Sequence, residues 1–357
     1  MNASLFAQVE SDGLDPDVVE LLPRLESADA ATRRVAVLAI ADLEDPSAIP
    51  VICAVLGRDP DAVVRAEAAR VLGSWEVEPA VHALAQALTD RDEAVRHAAA
   101  DALAQCKDAR LGPALVTWLD RPEPFVRAVI FRALRELRYP AVFDAALAAF
   151  DDDDANVRVE AVALLGWLRD GRAIAALAHA LQVDREAAVR RAASAALGMA
   201  SIADVLATRA LLAALADEDW LVRESTAATL GRIAAASATK DAPASATPGT
   251  TPNAPITAAV TQALIASLED PYWQVRIQAA RALGRLRDPS AIAALTIALG
   301  HSISNLRKEA ALALGEIADP DALPALEQAA TDADPEVRKS VRIALDQIAV
   351  RLAAIRS

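Results

Sequence analysis

One short phrase recurs along the whole chain of 357 residues. It reads Asp-x-x-Val-Arg-x-x-Ala-Ala-x-x-Leu-Gly, and its clearest copy begins at Asp61 and ends at Gly73. The arginine of the phrase marks ten copies, at Arg33, Arg65, Arg96, Arg127, Arg158, Arg190, Arg223, Arg276, Arg307 and Arg338. Neighbouring copies are 31 to 33 residues apart, except for one step of 53 residues. A constant step of this size predicts a solenoid of stacked repeats, because a compact enzyme domain has no reason to keep it.

Each repeat has the pattern of two helices. In the second helix, Val64, Ala68 and Leu72 stand at i, i+4 and i+8, which makes one apolar stripe. The small alanines allow a neighbouring helix to come close, and we expect close packing at the glycine that follows. Asp-Pro pairs such as Asp45-Pro46 and Asp288-Pro289 are typical of helix starts, with aspartate as the N-cap and proline at the first helical position.

The phrase resembles HEAT repeats, in particular the short bacterial kind called PBS-lyase HEAT-like repeats. The resemblance covers about residues 16–350 and implies an all-α, right-handed α-solenoid of about ten two-helix repeats with a period of about 31 residues. Families that share the repeat include bilin chromophore lyases, phycobilisome-degradation factors, HEAT-like DNA glycosylases, deoxyhypusine hydroxylase and many scaffolds. The repeat therefore predicts the fold, and the function must come from residues that depart from it.

The repeats imply one continuous solenoid with two irregular segments. We expect an N-terminal arm at 1–15, repeats one to seven at 16–235, and repeats eight to ten at 256–357. A C-terminal capping helix is predicted over about Asp334–Ile355. The segment 236–255 is rich in Ala, Ser, Thr and Pro and predicts a disordered loop. It is either a tolerated insertion or a flexible lid that binds a partner.

Charge excludes several kinds of partner. The formal net charge is −14 and the sequence pI is about 4.8, which speaks against nucleic acid and against a polybasic membrane surface. Residues 256–357 carry 12 acidic and 11 basic side chains, so almost all of the negative charge lies before them. No signal peptide and no transmembrane stretch is visible, and the default expectation is a cytoplasmic protein.

The sequence predicts no cofactor, metal or catalytic centre. Cys53 and Cys106 lie in apolar helical settings without a C-x-x-C motif. No phosphate loop or nucleophile elbow is visible. The metal-binding His-Glu pairs of deoxyhypusine hydroxylase are missing, since none of the four histidines, His82, His97, His179 and His301, is followed by glutamate. The acidic run 151–154 could bind a cation, but it lacks the glycine-punctuated spacing of a calcium loop, and a solvated acidic loop is the favoured interpretation.

The ten arginines are interpreted as structural. An arginine at one position of every repeat predicts a bridge to the helix-start aspartate of a neighbouring repeat, and phosphate binding would need basic neighbours that the composition does not provide.

Departures from the repeat give the candidate binding residues. Trp220 and Trp273 stand three residues before their marker arginines, in consecutive repeats on either side of the long step. They could form an exposed patch for a partner, or pack as caps against the neighbouring repeat. The partner-binding candidates are Trp220, Leu221, Glu224, Tyr272, Trp273, Gln278 and Arg281.

Three functions stay open at this point. The favoured one is a non-catalytic interaction scaffold or assembly factor that binds a protein partner on the concave face, which the HEAT resemblance assigns to the second helices. The alternative is a bilin lyase or chromophore-handling protein, in which Trp273, Arg276 and Arg281 would meet an open-chain tetrapyrrole. The third is a metalloenzyme maturation factor whose acidic part binds a basic client.

Overall fold

The computed structural model describes residues 13–240 and 254–356, and within these residues it contains twenty α-helices and no strand. The chain divides into two compact units, one up to Leu168 and the other from Arg169 onward. The helices of the first unit are α1 (Pro16–Leu25), α2 (Ala30–Asp42), α3 (Ile49–Arg58), α4 (Ala62–Leu72), α5 (Glu78–Ala87), α6 (Glu93–Gln105), α7 (Gly112–Val116), α8 (Pro124–Glu136), α9 (Phe143–Ala148) and α10 (Ala155–Leu168). Those of the second unit are α11 (Ile174–Val183), α12 (Ala187–Ala196), α13 (Val205–Ala214), α14 (Trp220–Lys240), α15 (Ala254–Ser267), α16 (Trp273–Leu286), α17 (Ile292–Leu299), α18 (Ser304–Ile317), α19 (Leu323–Ala329) and α20 (Pro335–Arg356).

Within each unit the helices form two layers. The even-numbered helices, which are the second helices of the repeats, pack on one another in chain order, as α14, α16, α18 and α20 do. The first helices form the other layer, where α3 contacts α5 and α11 contacts α13. Each repeat therefore buries its apolar stripe against its own partner helix and against the next repeat. The predicted all-α solenoid is confirmed, and α20, at 22 residues, ends the second unit with the long helix expected there.

Aspartates begin many of the helices. Asp61 and Asp92 accept a hydrogen bond from a backbone N–H in the first turns of α4 and α6, which satisfies donors that the helix leaves unpaired. Asp45 and Asp288 cap short 3-10 turns whose first residue is proline, and these turns lead into first helices. The pair Asp59-Pro60 differs from the prediction, since α4 is capped by Asp61 and Asp59 has another role.

Glycine brings the second helices together. A Cβ built on Gly231 would lie 2.7 Å from Cβ of Ala282, and one on Gly284 would lie 2.8 Å from Cα of Ala313. Both distances are too short for a real contact, so only glycine permits this separation of the helices. The close packing predicted at the repeat glycine is present at these positions.

The long step in the repeat falls between α14 and α15. Helix α14 continues to Lys240, and α15 begins at Ala254. The predicted loop at 236–255 thus begins with helical residues, and its central part, 241–253, lies outside the described residues. Most of the predicted N-terminal arm, residues 1–12, also lies outside them. None of the helices in the described ranges has the length and apolar character needed to cross a membrane.

Candidate functional site

The marker arginines form a ladder of ion pairs between repeats. Arg33 donates from Nε and Nη2 to the two carboxylate oxygens of Asp59, at 2.8 and 2.9 Å. The same two-fold contact joins five further pairs, Arg65–Asp90, Arg127–Asp152, Arg190–Asp217, Arg223–Asp270 and Arg307–Asp332. These pairs join neighbouring repeats. The carboxylate belongs to the aspartate two residues before the helix N-cap, such as Asp59 rather than Asp61.

Each ladder group makes further contacts that hold it in place. Arg65 Nη1 donates to the carbonyl oxygen of Asp59, at 2.8 Å. The carboxylate of Asp59 also accepts the backbone N–H of Asp61, at 2.9 Å. One aspartate therefore contacts the previous arginine, the next arginine and the start of its own helix. This arrangement sets the register of one repeat against the next.

Burial and hydrogen bonds act in opposite directions on the ladder carboxylates. Burial tends to raise the pKa of Asp90, Asp152 and Asp270, but hydrogen bonds from the ladder arginine and a backbone N–H outweigh it. The pKa of each group therefore lies below its ordinary value. For Asp332 the hydrogen bond from Arg307 is the largest cause of the lowered pKa. The hydrogen bonds of the ladder therefore favour the charged form of these four carboxylates.

At two places the register of the ladder leads to a residue other than aspartate. Arg65 pairs with Asp90, which stands 25 residues later in the chain. The residue 25 positions after Arg96 is Arg121, and the residue 25 positions after Arg276 is His301. His301 is partly buried, and its Nε2 lies 2.9 Å from Nη1 of Arg276. Its Nδ1 accepts the backbone N–H of Ile303, at 3.1 Å. The imidazole thus stands in the position that a carboxylate takes elsewhere.

Two aromatic side chains next to this position stack on each other. The rings of Trp220 and Tyr272 are 5.4 Å apart between centroids and nearly parallel, at 7°. The guanidinium of Arg223 lies 5.6 Å from the centroid of the Tyr272 ring. Asp270 accepts both the Arg223 guanidinium and the backbone N–H of Tyr272, so a ladder pair holds the stack in place. Tyr272 is 45% exposed and its neighbour Trp273 is 42% exposed.

The predicted binding residues divide into two groups. Trp220, Tyr272 and Trp273 come together at the N-terminal ends of α14 and α16, and we call these three the aromatic patch. Leu221 lies beside Trp220 and is partly buried. Packing of Trp220 on the neighbouring repeat agrees with the capping interpretation, while the exposure of Tyr272 and Trp273 agrees with a binding surface.

The polar candidates lie farther along the helices and are partly occupied by other contacts. Arg281 donates to Glu309 of the next repeat, with 2.8 Å between Nη2 and Oε1. Glu224 contributes to raising the pKa of Arg281, after the Glu309 hydrogen bond, so its carboxylate lies near the same group. Gln278 and Glu224 are partly buried. Arg281 therefore belongs to an ion pair between repeats and is a weaker binding candidate than the sequence indicates.

The thiols and the acidic run have structural surroundings. Burial raises the pKa of the Cys53 thiol to about 11 and also raises that of Cys106. Cys53 lies on a mainly apolar cleft of about 680 Å³ between α3 and α5. In the acidic run, Asp152 pairs with Arg127 and Asp154 accepts backbone N–H groups of α10. Within the part of the chain that the structure describes, no group of three His, Cys, Asp or Glu side chains could hold a metal ion.

Sequence reasoning missed the histidine in the ladder, although a signal was present. Six residues before most marker arginines stands an aspartate, and His301 takes its place before Arg307. An alignment of the repeats at that position, and not only at the arginine, would have singled out His301 and Arg121.

Solved structures with similar folds cover most of this chain at low sequence identity. An engineered protein shares 22% identity with a TM-score of 0.50, over 94% of this chain and 99% of its own. A chain of the structure in which Kap95p binding induces the switch loops of RanGDP to adopt the GTP-bound conformation shares 16%, with a TM-score of 0.64, over 93% and 49%. A chain of the Kap95:Nup1 complex shares 16%, with a TM-score of 0.62, over 93% and 50%. This chain spans about half the length of the latter two, and the likeness shows the fold alone.

Family models match most of the sequence. No curated protein matches it. A model of HEAT repeats matches residues 18–104, 52–135, 112–198 and 261–346, and a model of a single HEAT repeat matches residues 208–237. These ranges cover well over half of the chain and agree with the helix pairs and the arginine ladder described above. The chain belongs to the family of HEAT-repeat proteins.

Proposed function

We propose that the protein is a non-catalytic interaction scaffold that binds a protein partner through the aromatic patch of its second unit. The observation that carries this proposal is the stack of Trp220 on Tyr272 beside an exposed Trp273. Aromatic side chains are rare in this chain, at 3% of its residues, and these three come from consecutive repeats.

The geometry of the patch suits recognition. A stacked pair held by the Arg223–Asp270 ion pair loses little conformational freedom on binding, because its rings are already fixed. Tryptophan and tyrosine contribute most to many protein interfaces, since they bury a large area and keep one polar group. HEAT-repeat solenoids often mediate protein–protein interaction, which supports the same kind of partner here.

Affinity capture from the native cell extract tests the proposal. We expect the wild-type protein to retain a partner that the Trp273→Ala variant loses at least tenfold, because the exposed indole is removed and no described ion pair is broken. Trp167→Ala is the matched control, since Trp167 is 41% exposed in the first unit. Circular dichroism of all three proteins checks that each remains folded.

The outcome that contradicts the patch is specific. If Trp273→Ala and Trp220→Ala both retain the partner at the wild-type level, the binding surface lies elsewhere on the second helices. If no protein is retained by any of them, the scaffold function itself fails.

A chromophore-handling function is the second candidate, as in the PBS-lyase HEAT-like families. One observation favours it: Arg276, which lacks a carboxylate partner, follows the exposed Trp273 by one helical turn. An arginine beside an aromatic ring would suit the propionate and the rings of a bilin. Visible absorbance of the protein after co-expression with a bilin would support this candidate, and a colourless protein would remove it. The maturation-factor hypothesis rests on the acidic charge before residue 256 alone.

A further inference from the structure

The contact between Arg276 and His301 has two donors and no acceptor. A neutral imidazole has one protonated nitrogen and one acceptor nitrogen. Because Nδ1 of His301 accepts the N–H of Ile303, the proton lies on Nε2. Nε2–H then faces Nη1 of Arg276, which also carries protons, at 2.9 Å. In the six arginine–aspartate pairs of the ladder, which we call its paired rungs, a carboxylate accepts from the arginine at this place.

Two buried atoms beside this contact are also unpaired. Among the buried side-chain nitrogens and oxygens of residues 13–236 and 255–354, Gln274 Oε1 and Arg276 Nε are the two without a hydrogen-bond partner. In the six paired rungs, the equivalent Nε donates to an aspartate at 2.7 to 2.8 Å. A buried polar group without a partner costs free energy, and the unpaired Nε of Arg276, which is a donor, points to an acceptor that the site receives from elsewhere.

The acidic groups around the site compensate the charge of Arg276 only in part, through the attraction between Arg276 and Asp270. Asp270 is the nearest acidic group of the preceding turn, and Arg223 already occupies both of its oxygens. Arg307 donates to the carbonyl oxygen of His301, and its own charge is balanced by Asp332. Neutral pairs therefore flank a guanidinium for which the described residues supply no hydrogen-bonded carboxylate, in the part of the chain that carries almost no net charge.

We propose that Arg276 and His301 bind the carboxylate of an aspartate or glutamate side chain of the partner protein. The carboxylate would accept from the guanidinium and from Nε2–H, as an aspartate of the chain accepts in the other rungs. Trp273, one helical turn before Arg276, would contact an apolar residue next to the acidic one. This inference rests on the proposed function and names the chemistry of the partner.

The site fits a carboxylate better than a phosphate. A carboxylate offers two oxygens, one for the guanidinium of Arg276 and one for Nε2–H of His301. A phosphate dianion would bring two negative charges, against one for a carboxylate, to a chain whose net charge is −14. An acidic peptide segment is therefore the occupant to which the charges point.

Peptide titration of the wild-type protein and of its His301→Asp variant tests the proposal. The probe is the peptide acetyl-Gly-Leu-Asp-Leu-Gly-amide, and its control carries Asn in place of Asp. Binding is followed by NMR at the indole N–H of Trp273 and the imidazole of His301, which the Trp273→Phe and His301→Gln variants assign. We expect the Asp peptide to bind at least tenfold more tightly than the Asn peptide.

The decisive variant is His301→Asp, which supplies the carboxylate from the chain itself. We expect this variant to weaken binding of the Asp peptide at least tenfold, judged by the Trp273 resonance, and to raise the Tm. Arg121→Asp is the matched control, because it supplies an aspartate at the other interrupted rung in the first unit. It should leave peptide binding within twofold of the wild type.

Several results would overturn the inference. They are equal binding of the two peptides, undiminished binding by His301→Asp, and tighter binding of inorganic phosphate or of biliverdin than of the Asp peptide. If Trp273→Ala loses the captured partner while His301→Asp keeps it, the scaffold stands and the carboxylate site fails. If the Asp peptide binds while no partner is captured, the site stands and the scaffold fails.

Discussion

Single side chains of the ladder link the stability of this protein to pH. The pKa values of Asp90, Asp152, Asp270 and Asp332 are lowered in the folded state. A carboxyl group with a lowered folded pKa stabilises the fold above its unfolded pKa, about 3.9, and this stabilisation is lost as the pH falls through the folded value. We expect little change of stability from these groups between pH 7 and 5, and a loss below about pH 4.

Urea unfolding at a series of pH values measures this dependence. Asp332→Asn should lower the free energy of unfolding at pH 7 and make its fall below pH 4 less steep, because one ladder carboxyl no longer titrates. The exposed Asp346 of α20 lies outside the ladder, and Asp346→Asn serves as control. An equally steep fall for Asp332→Asn and the wild type would contradict the role given to the ladder.

At this scale the sequence predicted the arginines and a bridge to an aspartate at a helix start, but not which carboxylate each arginine reaches. Every marker arginine could be found from the repeat. Two aspartates, such as Asp59 and Asp61, lie in one turn, and only the geometry shows which carboxylate reaches the guanidinium. The mismatch of donors at His301 depends on hydrogen-bond directions, which no residue pattern contains.

At the level of the helices, the second helices lie as close together as their glycines allow. Gly284→Ala would gain helix propensity of up to about 1 kcal/mol, but the added methyl would lie 2.8 Å from Cα of Ala313. Overpacking against backbone costs about 1–3 kcal/mol. We expect the variant to lower the free energy of unfolding by about 1 kcal/mol, measured by urea denaturation.

Gly57 of α3 offers the matched comparison. A Cβ at this exposed position meets no heavy atom within 4 Å, so Gly57→Ala should keep the gain in propensity and stabilise the protein slightly. Stabilisation by both substitutions would mean that α16 and α18 can move apart without cost.

Helices were the easiest level to predict from the sequence. The apolar stripe of Val64, Ala68 and Leu72 predicted α4, and the same pattern predicted the second helices of the remaining repeats. The Asp-Pro pairs were less informative, because the same dipeptide has two roles. Asp45 caps a 3-10 turn, whereas Asp59 is a ladder aspartate two residues before the N-cap of α4. Which role applies depends on the packing of the next repeat.

Contacts between neighbouring repeats determine how the whole molecule responds to a destabilising substitution. Arg33→Gln leaves the carboxylate of Asp59, whose side chain is 1% exposed, without its guanidinium. Breaking a buried pair in this way costs about 3–5 kcal/mol. Because each repeat contacts only its neighbours, we expect the loss to stay local.

Hydrogen exchange with mass spectrometry measures how far along the chain the substitution lowers the protection of backbone amides. Protection should fall in α2, α3 and α4 of the Arg33→Gln variant and stay at the wild-type level in α18 and α20. Uniform loss of protection along the chain would show that the molecule unfolds as one cooperative body.

The aromatic patch was within reach of the sequence because its residues break the repeat. Trp220 and Trp273 stand out from the residues at the same position in other copies, and this alone predicted a site. Their stacking could not be predicted, since residues 220 and 272 are joined by a step of unusual length in the chain. The structure shows that the step changes the sequence distance and leaves the contact between repeats in place.

The ladder pair Arg223–Asp270 joins residues 47 apart, where the other pairs join residues 25 to 27 apart. Its two carboxylate contacts, 2.7 and 3.0 Å long, have the same form as in the other rungs. Repeat register in this protein is thus a property of neighbouring surfaces and does not depend on the number of residues between them. The chain between Lys240 and Ala254 is consequently a place where evolution, or a protein engineer, can add or remove sequence while the stack of repeats keeps its order.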